Sequence, residues 1–242
     1  MGLKLMCVVA HPDDECYAFG GALALAADRG VETYVICLTD GQAATNRGNA
    51  ASGEALGKVR RKEFRASCDV LGVTRHELMD YQDGYLEFVQ FSQAAERLVE
   101  RMRRFKPDVV ITFGGDGGQN THADHMMTSM LTTAAFHWSG QPKRYPNAGE
   151  AHKASRLYYV TANFLMPDRL PAMMMPWTVT LDIRSVRERK SEAFRRHVSQ
   201  APLMEKTKHI FERYGAEEFY ALAATADPQA ARLGTDLFDG LS

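Results

Sequence analysis

A chain of 242 residues can bury one large core or two small ones, and at 45% apolar and 24% charged it has an ordinary globular make-up. A net charge of −1 gives no electrostatic case for nucleic acid or an anionic membrane, and no apolar run approaches the roughly 20 residues of a membrane span. The four cysteines (Cys7, Cys16, Cys37, Cys68) match neither a zinc ribbon nor a disulfide scaffold, and no signal peptide precedes the first strand-like run. Cys7 and Cys37 read as buried core thiols, and a reducing cytoplasm fits best.

In chain order, Leu3–Val9 predicts a strand and Ala18–Arg29 an alanine-rich helix capped by Gly30. Glu32–Leu38 is a second strand, and residues 39–53 form a polar loop. Glu54–Leu71 reads as a helix ending at Gly72, and Glu77–Tyr81 as a short third strand. Ser92–Phe105 is helical, with basic residues in its last turns before Pro107. Asp108–Phe113 is the fourth strand; the glycine-rich "GGDGGQNTHADH" then leads into a helix over Ala123–Phe136. Beyond it come a long loop over 139–155, read as a lid, further strands in "RLYYV" and "TVTL", and one strong helix in "SVRERKSEAFRRHVSQ". The expected fold class is α/β: a Rossmann-like, mostly parallel sheet flanked by helices on both faces, forming a single domain over 1–242.

Two polar clusters stand out. "HPDDE" (His11 to Glu15) leaves the carboxyl end of the first strand, and "HADH" (His122 to His125) follows the fourth. In a doubly wound sheet of order 3-2-1-4-5 those strands are neighbours, and their loops diverge around the crevice where ligands bind. His11 and Asp14 are three apart, as are His122 and His125, a spacing that shares a face at a helix start. Two imidazoles and a carboxylate make a familiar catalytic zinc set with a position open for water. Asp13 could work on that water, Pro12 sets the turn, and Glu15 is expected near the helix N-terminus or behind the ligands. A glycine-rich phosphate cradle in "FGGDGG" competes with this reading, but the chain lacks G-x-G-x-x-G and G-x-x-x-x-G-K-[ST]. His76, His137, His152 and His209 lack partners at ligand spacing, and the cluster Met173–Met175 is read as core or lid packing.

These motifs resemble the zinc-dependent N-deacetylases of the LmbE/PIG-L family. "AHPDDE" carries the resemblance, with "HADH" where the family has His-Pro-Asp-His. "VRRKEFRASCDVLGV", "YQDG", "KSEAFRRHVSQ" and "TDLFDGL" support it. The resemblance implies His11, Asp14 and His125 as zinc ligands, with Fe2+, Co2+ or Mn2+ able to take the same atoms. It implies Asp13 as general base and then acid, His122 as the residue steadying the oxyanion, and Asp124 as the carboxylate orienting His122. Arg60 is carried over as a substrate contact, and Gln42 at the pocket border and His197, with Gln200, at its rim are read as further substrate contacts. Ala123 in place of proline, Gln42 in place of glutamate, and Asn120-Thr121 in place of Tyr-Gly depart from the family pattern and bear on the substrate. The implied reaction removes an acyl group, acetyl by default, from an amino-sugar derivative by attack of metal-activated water. The alternatives are an amidase for a non-sugar amide or thiol conjugate, and a silent sugar- or metal-binding module. No nucleic acid, no membrane insertion and a small-molecule partner are expected; homo-oligomers are common among relatives.

Overall fold

The structure is a computed structural model describing residues 2–164 and 175–241. Seven strands form one sheet: β1 (Lys4–Val9), β2 (Glu32–Thr39), β3 (Arg75–Tyr81), β4 (Val109–Phe113), β5 (Arg156–Thr161), β6 (Val179–Asp182) and β7 (Glu217–Thr225). Their order is β3-β2-β1-β4-β5-β7-β6. The first five are parallel, and β7 runs antiparallel between β5 and β6. Seven described helices cover the sheet: α1 (Asp14–Tyr17), α2 (Gly20–Asp28), α3 (Gly53–Leu71), α4 (Phe91–Phe105), α5 (Ala123–Ser139), α6 (Arg187–Arg195) and α7 (Ala201–Tyr214). The α/β fold expected from the alternating rhythm is present.

The central strands are apolar throughout because both their faces are covered. Leu5, Cys7 and Val9 of β1 point into a core shared with Leu23, Phe64 and Phe194. Met6 and Val8 point the other way, into a core with Leu98, Met102 and Leu131. All four cysteines are buried and free. The chain winds outward from β1 to β2 and β3 on one side and from β4 to β5 on the other. That reversal leaves a crevice beyond the carboxyl ends of β1 and β4.

Two expectations need correction. The stretch 185–200 is not one helix: α6 stops at Arg195, and a 3-10 turn over Val198–Gln200 carries the chain into α7. The break turns His197 into the core, where it is 1% exposed. β7 and α7 add a strand and a helix beyond those expected; "EEFYALAAT" follows the glycine that ends α7 and shows little apolar-polar alternation. The loop 139–155 is not a lid. Ser155 and Arg156 donate to the carbonyl of Asp108, at the amino end of β4. The loop therefore closes the end of the sheet opposite the crevice, with α5, roughly 25 Å long, in between. Of the cluster Met173–Met175, Met173 and Met174 lie outside the described residues.

Arg103 holds that loop. It is 2% exposed, and its guanidinium donates to the carbonyls of Ser139, Tyr145, Gln141 and Arg144 at 2.6–3.1 Å. Replacing it with methionine strands those acceptors, each such loss costing about 1–3 kcal/mol. Arg103→Met is expected to lower stability by about 3 kcal/mol or more, read as the urea midpoint, and to leave the distant crevice unchanged.

Candidate metal centre

His11 to Asp13 form the turn between β1 and α1. Asp13 has φ 110° and ψ −27°, a left-handed conformation that costs a non-glycine residue about 1–3 kcal/mol. It occupies the N-cap position of α1, yet its side chain caps nothing. The carboxylate instead lines a cleft of about 210 Å3 together with Asp14, His125, Phe113 and Lys190. Phe164, Phe211, Tyr214 and Phe219 also line it.

His125 comes from the first turn of α5, and the glycine turn before it sets its ring. Gly117 has φ 68°, and a Cβ there would lie 3.1 Å from the Cβ of His125. Its carbonyl accepts from His125 Nδ1 at 3.0 Å, and the ring stacks on Phe113 with centroids 4.1 Å apart. Asp116 takes up the amides of Gly118 and Gln119 within this turn. A phosphate would find those donors engaged, which removes the competing reading of "FGGDGG".

His11 is held just as firmly. Its Nε2 lies 3.1 Å from Asp124 Oδ2 and 3.0 Å from Asp83 Oδ1. A carboxylate can only accept, so Nε2 carries the proton and a neutral ring presents a bare Nδ1. By the same logic the Gly117 carbonyl fixes the proton of His125 on Nδ1 and leaves Nε2 bare. These two lone pairs face each other at 3.2 Å. Asp14 adds carboxylate oxygens 3.3 Å from His125 Nε2 and 3.6 Å from His11 Nδ1. With both rings neutral, three acceptors converge with no donor between them. A tetrahedral ion about 2.0–2.1 Å from each ligand would set them about 3.3 Å apart. The donor set fits a divalent cation, and its atoms all lie within 4.8 Å of one another.

The local charges concentrate negative potential on this spot. Burial opposes a charge on His11, but its hydrogen bonds to Asp124 and Asp83 and the charge of Asp14 push its pKa to about 10, so a cation takes Nδ1 in exchange for a proton. Burial likewise opposes ionisation of Asp14, yet His125 and His11 hold its carboxyl well below the usual range. Burial is the largest influence on Asp13. With Asp14 and Glu15 nearby it outweighs Arg60 and His197, raising Asp13 to about 6.

Asp124 does not orient His122 through its carboxylate. The carboxylate is fully buried and accepts from the amides of Gly84 (2.6 Å) and Leu86 (3.1 Å) while holding His11. It is the backbone N–H of Asp124 that donates to His122 Nδ1, at 3.1 Å. A neutral His122 therefore carries its proton on Nε2. The ring is exposed at the rim, 4.8 Å from that of His11 by centroids. Burial and the neighbouring His11 and His125 lower its pKa.

None of the residues expected to contact substrate lines the described cleft. Arg60 is 3% exposed, with a guanidinium 3.1 Å from Asp13 Oδ2 that also donates to the carbonyls of Pro12 and Gly41. Gly41, φ 66°, is needed there, because a Cβ would sit 2.1 Å from that guanidinium. Gln42, with its amide turned to satisfy both ends, meets Asp40 and the backbone of Asp83. His197 is buried against Glu15 at 2.7 Å. Sequence reading passed over Asp83, although "YQDG" ends β3 in a turn signal. It also left Glu15 without partners, because Ser67 and His197 are 52 and 182 residues away.

Outer carboxylates fix the ring that presents the bare nitrogen, and losing one typically costs about 10–100-fold in metal affinity. Asp124→Asn is expected to weaken zinc binding by about that factor in a competition titration against a chromogenic chelator. An unchanged affinity would detach Asp124 from the centre.

Residues 6–136 match the family described as "PIG-L: GlcNAc-PI de-N-acetylase". The chain is 26% identical over 288 residues to a 1D-myo-inositol 2-acetamido-2-deoxy-alpha-D-glucopyranoside deacetylase of Rhodococcus jostii, covering 98% of both proteins. It is 30% identical over 177 residues to a mycothiol S-conjugate amidase of Streptomyces coelicolor, covering 65% of this chain but only 60% of that one. In fold it is similar to the N,N'-diacetylchitobiose deacetylase of Pyrococcus horikoshii, with TM-score 0.75, 24% identity, and 90% and 83% of the two chains covered. At that identity the likeness speaks for the fold alone. The family match spans more than half of the sequence and takes in "AHPDDE" and "HADH", so the chain belongs to the PIG-L family.

Proposed function

We propose that this protein is a metal-dependent N-deacetylase that hydrolyses the amide of a small N-acyl amino sugar. The observation that carries the reading is the convergence of His11 Nδ1, Asp14 and His125 Nε2 beside Asp13 on the cleft. A zinc ion held by those three residues would supply Lewis acidity to a water and to the acyl oxygen. Asp13, raised towards neutral pH by burial, takes the proton from the attacking water and hands it to the departing amine. His122, with Nε2–H turned outward by the Asp124 amide, donates to the developing oxyanion. Arg60 keeps the Asp13 carboxylate at the cleft, and Asp83 and Asp124 keep His11 in its binding tautomer. The products are a carboxylate and a free amine, and no covalent intermediate is needed.

Acetylated amino sugars are the first choice of substrate, because the relative aligned over 98% of both chains carries such a group in its name. The amidase relative supports a thiol-conjugate amide as the second. No described helix is long and apolar enough to cross a membrane. The test pairs metal analysis with a panel of N-acetylated amino sugars and a mycothiol-type conjugate, scoring free amine with and without chelator. Chelator-sensitive amine release supports the proposal. A zinc-loaded protein that binds the sugars and releases no amine is a binding module instead.

A further inference from the structure

We infer that Glu15 is a positioning residue for Asp13, and that Ser67 and His197 hold Glu15 for that task. The inference rests on the reading of Asp13 as the proton-transfer carboxylate. An aspartate at the N-cap ordinarily adopts extended backbone and spends its side chain on the helix amides. Asp13 does neither: its left-handed backbone frees the carboxylate for the cleft. Something must keep the residue from relaxing into an ordinary cap.

Each polar group of Asp13 is tied. Its carbonyl accepts from the amides of Cys16 and Tyr17, within α1 itself. Its carboxylate meets Arg60. Its own N–H, which the left-handed turn points away from the helix, donates to Glu15 Oε2 at 2.9 Å. A side chain reaching back two residues to a backbone amide depends on the φ that orients that amide.

Glu15 is itself built in from a distance. It is fully buried, and its Oε1 accepts from Ser67 Oγ of α3 at 2.6 Å and faces His197 Nε2 at 2.7 Å. The break between α6 and the following 3-10 turn is what delivers that imidazole. His197 Nδ1 is buried with no hydrogen-bond partner among the described residues, so Glu15 is its one polar contact there. A buried ion pair is a poor way to stabilise a fold, since apolar side chains of the same volume often do as well. Among the described residues that line the cleft or supply the converging ligand atoms Glu15 is absent, and its side chain reaches towards them through its hydrogen bond from the Asp13 amide.

The test uses the full-length, zinc-loaded protein. In a crystal structure of Glu15→Ala, Asp13 is expected at negative φ, its carboxylate turned onto the α1 amides and away from Arg60. Glu15→Gln keeps an oxygen for the Asp13 amide and is expected to retain the positive φ. With N,N'-diacetylchitobiose as probe, Glu15→Ala and His197→Phe should lower kcat about 10–100-fold, with KM and zinc content little changed. In an Asp13→Asn background the same substitutions should cost nothing further, because they act through a group already removed. If φ stays near 110° in Glu15→Ala, or the loss is equal in both backgrounds, the inference is overturned. Should Glu15→Ala fail to fold, His197→Phe carries the same crystallographic and kinetic readouts. A wild-type protein inert towards the probe would count against the hydrolase reading, while the φ measurement would still decide this one.

Discussion

Asp13→Asn is expected to lower kcat by about 10²–10⁴-fold while the protein keeps its metal, the range that a positioned proton-transfer group contributes. The substitution is clean for a structural reason. Asp13 sits at φ 110°, and asparagine is among the few residues that visit left-handed backbone at little cost. Its amide oxygen can still face Arg60, which lies 3.1 Å from Asp13 Oδ2. None of the three converging ligand atoms belongs to Asp13. What changes is the ability to take up a proton from water and return it to the amine. The measurement is kcat on an acetylated amino sugar, with zinc determined on the same sample. Full activity in the zinc-loaded variant would remove Asp13 from the chemistry and leave the centre without a base on this side of the cleft.

The sequence made the site legible because both halves lie in short contiguous motifs at strand ends. "HPDDE" leaves β1 and "HADH" opens α5, and the parallel pairing of Leu5–Cys7 with Val109–Ile111 brings them together. What supports the site was harder to read. Asp83 reaches His11 from the end of β3, Ser67 comes from the middle of α3, and His197 comes from a break in a helix that sequence periodicity reads as continuous. No local spacing links those residues; only the folded sheet does. Arg60 and Gln42 illustrate the same limit. Their positions matched the family pattern, but the direction of each side chain is set by Gly41, Pro12 and Asp40, which a motif does not encode. The long loop 139–155 reads as a lid by its length, and the bonds to Asp108 and Arg103 place it at the opposite end of the sheet.

His125→Ala is expected to abolish both metal binding and hydrolysis. The imidazole is the part of the centre that comes from across the crevice, with Nε2 3.2 Å from His11 Nδ1 and 3.3 Å from Asp14 Oδ1. Without it, the remaining ligand atoms come from the turn after β1 and the first residue of α1, and two are too few for a zinc site that keeps a position open. The loss in affinity should be on the order of 10³-fold or more, beyond the 10–100-fold that removal of an outer partner costs. The fold should survive, since the ring borders the cleft and water can fill its place. His122→Ala is the informative contrast, because the sequence spacing alone left either histidine of "HADH" able to bind metal. His122 offers its Nδ1 to the Asp124 amide and stands exposed at the rim. Its removal should leave zinc stoichiometric and lower kcat by about 10²–10³-fold, as loss of an oxyanion donor does. Metal analysis after gel filtration separates the two variants. Zinc retained by His125→Ala and lost from His122→Ala would reverse the assignment and move the centre out to the rim, where His122, His11 and Asp124 also lie close enough to hold an ion.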